Sequence, residues 1–94
     1  MSKCIIDNKI YDTEKAHKIV EYTRYRLNLF GVETIEVKGI LYKTQKDNWF
    51  SVYADNRTGR PYVIVKTEDE VKKILKDENA FELYEKYFGK LDEA

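Results

Sequence analysis

"WFSVYADNRTGRPYVIVK", Trp49 to Lys66, is the stretch on which the fold turns. WFSVYA (Trp49–Ala54) and PYVIVK (Pro61–Lys66) are dense in aromatic and β-branched residues, which suit a pleated, half-buried surface. Between them DNRTGR carries Asp55, Asn56 and Gly59, residues that make turns, so the segment predicts a β-hairpin. Pro61 stands at the first position of the second run, where its missing N–H costs least.

Upstream, ETIEVKGILYKT (Glu33–Thr44) alternates at Ile35 and Val37, then changes parity at Gly39 and continues through Ile40, Leu41 and Tyr42. A strand with a bulge or bend at the glycine is expected. QKDN (Gln45–Asn48) is rich in turn residues, so three successive strands form an antiparallel meander. The opening KCIIDNKIYDT reads as a short strand at Cys4–Ile6, a tight turn at DNK and a return through Ile10 and Tyr11. From Thr13 to about Leu27 the residues Ala16, Ile19, Val20, Thr23 and Leu27 recur at spacings of three and four, predicting a helix capped by Asp12 or Thr13, with Gly31 at or beyond its end.

Downstream, TEDE (Thr67–Glu70) matches a capping box: the threonine hydroxyl accepts from the N3 amide while the glutamate reaches back to the cap amide. Val71, Ile74 and Leu75 give the helix that follows its buried stripe. A last helix over about Asn79 to Phe88 draws its buried side chains from Phe81, Leu83, Tyr84, Tyr87 and Phe88 and stops at Gly89. The expected architecture is α+β: an antiparallel sheet of three to four strands with helices packed on one face, a two-layer sandwich forming a single domain over residues 1–94.

The 94 residues are 43% hydrophobic and 36% charged, the mixture of a globular chain with a heavily solvated surface. Seventeen Lys and Arg balance seventeen Asp and Glu, but residues 1–65 hold eleven basic against eight acidic and residues 66–94 six against nine. General nucleic-acid binders are usually more basic. Cys4 is the single cysteine, so no internal disulfide is expected and a reducing, cytoplasmic setting follows. No apolar run has signal-peptide length or approaches the roughly 20 residues of a membrane span.

KIYDTEKAHKIVEY, ILYKTQKDNWFSVY and FELYEKYFGKLDEA, taken in order along the chain, resemble a family of small proteins of Firmicutes genomes, phages and plasmids. Its members read as a G-K-x-Y-D-T-E-x-A opening, a T-L-Y-x-K-x-T-G-E-F-F-L-Y centre and an E-x-Y-E-x-x-F-G close. The chain departs from that pattern where the family has a glycine-rich segment and DNRTGR stands here. The resemblance implies carriage on mobile elements, where such proteins act by binding and blocking a host protein, anti-CRISPR inhibitors included. It assigns no functional residue.

Catalytic chemistry has little footing. His17 is the only histidine, and nothing in the sequence pairs it with Cys4 or an acid. One Cys and one His cannot close a zinc site, and the carboxylates of TEDE and DEN read as helix caps and first-turn charges. No Walker loop or G-x-G-x-x-G is present. The expectation is therefore a protein without catalytic residues, cofactor or metal. Arg57 and Arg60 exceed what the hairpin needs and stand beside Tyr53 and Tyr62, a setting for anionic groups. Trp49, Ser51 and Tyr53 share one sheet face, and Phe50, Val52 and Ala54 the other, so one set can pack beneath helices while the other stays open. Trp49, Tyr53, Arg57, Arg60 and Tyr62 are the expected partner-binding residues, because interface energy concentrates in aromatic and arginine side chains. The expected partner is a protein, a host defence complex or a second copy of the chain. The alternative is nucleic acid, with bases stacked on the sheet tyrosines and Arg24, Arg26, Arg57 and Arg60 on phosphates.

Overall fold

The computed structural model describes residues 3–27, 34–55 and 59–91. Strands β1 (Lys3–Ile6) and β2 (Lys9–Asp12) form a hairpin of their own. Asp7 and Asn8 both take positive φ, 51° and 64°, the backbone of a two-residue hairpin turn. Strands β3 (His17–Leu27), β4 (Thr34–Lys43), β5 (Trp49–Asp55) and β6 (Pro61–Lys66) make an antiparallel meander in the order β3-β4-β5-β6. Helices α1 (Glu68–Asp77) and α2 (Phe81–Phe88) follow and cover one face of that sheet, giving the α+β two-layer architecture.

The segment expected to be the first helix is a strand. Asp12 does cap a turn: its Oδ1 accepts from the Glu14 amide at 2.9 Å and its carbonyl from the Lys15 and Ala16 amides. The turn does not propagate, and the chain runs straight into β3. Ile19, Val20, Tyr22, Thr23 and Tyr25 are β-branched or aromatic and lose rotamer freedom in a helix. As a strand they gain pairing with β4 from His17↔Lys43 to Leu27↔Thr34. A register shift between Lys18 and Val20 leaves Ile19 without a partner residue in β4 and lets the consecutive Ile19 and Val20 both pack against the core, so the strand accommodates a pattern that also reads as helical. Tyr22, off the helical stripe, is a core residue.

Gly39 marks no bulge. Ile35, Val37, Gly39 and Leu41 keep one parity, and Gly39 pairs in regular register with both Tyr22 and Tyr53. The glycine serves a close approach instead: a Cβ there would lie 2.8 Å from Tyr22 Cζ and 2.8 Å from Tyr53 Cε1. Two tyrosine rings occupy the space above it.

The helix-side core contains Tyr22, Ile35, Val37, Leu41, Trp49 and Tyr53 from the sheet and Val71 and Leu75 from α1, with Leu83, Tyr84, Tyr87 and Phe88 of α2 packed against them. The capping box forms as expected: Thr67 Oγ1 accepts from the Glu70 amide and Glu70 Oε1 from the Thr67 amide. On the opposite face Phe50 is fully buried, stacked on Tyr42 and met edge-on by Tyr11 of β2 at 5.3 Å between centroids. The N-terminal hairpin therefore lies across the second sheet face at Phe50.

Candidate functional site

The five expected contact residues do not assemble into one exposed surface. Trp49 is 6% exposed, held edge-on by Tyr87 and stacked by Phe88 of α2, and Tyr53 is 1% exposed. The helices cover the Trp49–Ser51–Tyr53 face, so these two rings are core residues and not surface anchors. Arg57 lies outside the described residues. Arg60 is exposed at the entrance to β6, and Tyr62 is 42% exposed with its ring 5.6 Å from that of Tyr53. Only Arg60 and Tyr62 of the set therefore stand at the surface within the described residues.

Tyr53 belongs to a buried polar cluster built across three strands. The Tyr22 hydroxyl donates to the Tyr53 oxygen at 2.6 Å, and Arg24 donates to the same oxygen at 2.9 Å. Tyr22 has a single proton and gives it to Tyr53, so the 2.7 Å contact with Ser51 has the serine hydroxyl as donor. Lys66 lies with its Nζ 5.0 Å from the Tyr53 ring centroid and 3.8 Å from Glu70 Oε2. Burial pushes the Tyr22 phenol well above the usual tyrosine range. For Tyr53 burial acts in the same direction, but hydrogen bonds from Lys66, Tyr22 and Arg24 together outweigh it, and the phenol is held below its ordinary 10.0. Among the described residues no buried side-chain nitrogen or oxygen is left without a hydrogen-bond partner. Tyr22, Ser51 and Tyr53 are buried under α1 while Arg24 stays exposed at the cluster's edge, and a cleft of about 430 Å³ lined in part by Tyr22, Gly39 and Glu78 opens beside it.

The surface features lie elsewhere. Ile5 and Ile10 face each other directly across the β1–β2 hairpin and are 75% and 62% exposed. Their neighbours Cys4 and Tyr11, also a directly opposed pair, turn to the other side, where Tyr11 is buried on Phe50. The hairpin is thus anchored by one face and presents an isoleucine pair on the other, beside exposed Lys3. The alternation CIID…KIYD contained this signal, since a strand buried through Tyr11 must turn Ile10 outward.

At the same end a cleft of about 470 Å³ runs between the hairpin and the β4–β5 turn, lined in part by Lys9, Lys15, Lys46 and Asn48. An adjoining cleft is lined by Lys43, Lys86 and His17 and shares Lys15. Lys43 is engaged with Asp47 at 3.0 Å and lies over the Tyr87 ring. Among the described residues no group of three or more His, Cys, Asp or Glu side chains is placed to hold a metal ion, and no helix is long and apolar enough to cross a membrane.

Comparison with protein-family models, curated proteins and solved structures gives no match to this chain.

Proposed function

We propose that the chain is a protein-binding module that works by covering a partner's surface, without catalysis of its own. The observation that supports this is the Ile5–Ile10 pair, two large apolar side chains directly opposed and mostly exposed on a hairpin whose other face is anchored in the fold. An apolar centre flanked on the same face by the Lys3–Asp12 pair and closed by the Asp7–Asn8 turn has the composition of a contact patch, with a dry middle and a polar rim. The resemblance to mobile-element proteins gives the kind of partner, a cytoplasmic host complex of the defence type, and the mode of action, inhibition by occlusion.

The test is affinity capture from host lysate with the wild-type chain and an Ile5→Asp/Ile10→Asp double variant, alongside thermal melts. Loss of at least tenfold in captured partner by a variant with an unchanged melting temperature supports the reading. Equal capture by both removes the hairpin as the contact.

Nucleic acid is the second reading. Its support has moved from the sheet tyrosines, of which Tyr22 and Tyr53 are buried, to the lysine-lined clefts at Lys9, Lys15, Lys46 and Lys86. Binding through these lysines would weaken steeply with salt, whereas binding through the isoleucine pair would be nearly flat.

A further inference from the structure

The two edges of the four-stranded sheet differ. β3, on one side, exposes Lys18, Glu21 and Arg24, joins Lys18 to Glu21 in an ion pair at 3.0 Å, and breaks its register between Lys18 and Val20. Charges and irregular pairing are the devices that keep an edge strand from recruiting another strand. β6, on the other side, has β5 as its single neighbour among the described residues, and from Tyr62 to Val65 it carries no charge. Pro61 blunts only its first position.

β6 is apolar on both faces. Tyr62 and Ile64 are 42% and 40% exposed on the helix side, and Val65 is 38% exposed on the other. A row of N–H and C=O groups flanked on both faces by half-covered apolar side chains fits an extended strand and no small ligand.

We propose that this strand is a second copy of β6, joined antiparallel across a two-fold axis so that two sheets continue as one. A two-fold axis between side-by-side antiparallel strands runs perpendicular to the sheet, so residues of the same face must oppose each other. An axis at Val63 brings Arg60 opposite the partner's Lys66, like charges that oppose pairing. An axis at Ile64 sets Ile64 against the partner's Ile64, Val63 against the partner's Val65 and Tyr62 against the partner's Lys66. Every central pair is then apolar, and no like charges meet. Tyr62 and Ile64 of both copies then meet on the helix side, and the chain's formal charge of zero imposes no long-range repulsion between them. The contact is independent of the Ile5–Ile10 patch, which lies on the separate hairpin.

Light scattering on the full chain at about 100 μM, a concentration suited to a small interface, should give twice the 11.2 kDa chain mass. Ile64→Lys and Val65→Lys, each at a part-exposed position, should both return it to the single-chain mass with the melt retained. In a Cys4→Ser background, Ile64→Cys should form an intermolecular disulfide under mild oxidation, and Val63→Cys, whose copies are offset, should not. A single-chain mass for the wild type overturns the proposal. So does a dimer that survives both lysine variants, and so does wild-type chain that stays single while an added extended apolar peptide binds at β6.

Discussion

Tyr22 and Tyr53 meet hydroxyl to hydroxyl, 2.6 Å apart, with their rings at 89° to one another above Gly39 of the strand between them. β3 and β5 are tied over the top of β4 at this point, because Ser51 and Arg24 complete the hydrogen bonds and the glycine leaves room for the rings. Side-chain placement, burial and protonation at the centre of the sheet all depend on this one crossing.

Gly39→Ala tests the space. The added methyl would press on the ring atoms of both tyrosines at 2.8 Å, and neither ring can withdraw without breaking the 2.6 Å bond between the hydroxyls. A loss of about 1–3 kcal/mol is expected from overpacking, read from urea denaturation. A variant as stable as wild type would show that the rings have room to shift.

The protonation of the pair gives a second test. Tyr53 is held below the ordinary 10.0 and Tyr22 above it. As pH rises through the folded value of Tyr53 toward 10.0, the folded state has released a proton that the unfolded state still binds, so stability rises with pH. Above 10.0 the unfolded Tyr22 ionises while the folded one keeps its proton, so stability falls. Absorbance at the tyrosinate band should show one early ionisation that Tyr53→Phe abolishes, and the urea midpoint should pass through a maximum. Tyrosines all titrating together near 10.0 would exclude this account of the cluster.

At the start of α1, Thr67→Ala removes the acceptor for the Glu70 amide, and a loss of about 1 kcal/mol is expected for such a cap. Hydrogen bonding with the Thr67 backbone holds the Glu70 carboxyl below its ordinary 4.5. Its contribution is therefore complete above pH 4.5 and is lost as pH falls through the lowered value. The midpoint difference between Glu70→Ala and wild type should accordingly narrow in acid, whereas that of Thr67→Ala, which keeps the Thr67 amide, should change little with pH.

Much of this arrangement was legible in the residues. The TEDE cap, the Val71–Ile74–Leu75 stripe, the turn at Asp7–Asn8 and the β4–β5–β6 meander are set by local chemistry, and local chemistry is what a sequence displays. β3 was not legible because its apolar residues fit two periods. The register shift that lets consecutive Ile19 and Val20 both pack inward is not written in the residues, and the ladder to β4 that decides for a strand is a long-range contact. The role of Gly39 is hidden for the same reason: its cause is two rings from the strands on either side, one of which carries a helical pattern. The candidate contact surface failed on coverage, since parity separates Trp49 and Tyr53 from Phe50 but does not say which set the helices choose.

Tyr11 is the one buried side chain of the hairpin among the described residues, so Tyr11→Ala should separate its attachment from the rest of the fold. Tyr11 is 4% exposed and meets Phe50, which is fully buried on the sheet face away from the helices. Truncating a buried aromatic costs about 3–5 kcal/mol, but here part of the loss should appear as local release, because the hairpin's own ladder is only Lys3↔Asp12 to Ile6↔Lys9. Hydrogen exchange should therefore quicken at the β1 and β2 amides while those of β4 and β5 keep their protection. Phe50→Ala should free the hairpin too, and it should also loosen β4 through the lost stack on Tyr42. If Tyr11→Ala instead lowered protection uniformly across both sheets, the hairpin would be an integral part of the cooperative core, and its isoleucine pair would be presented by the fold as a whole.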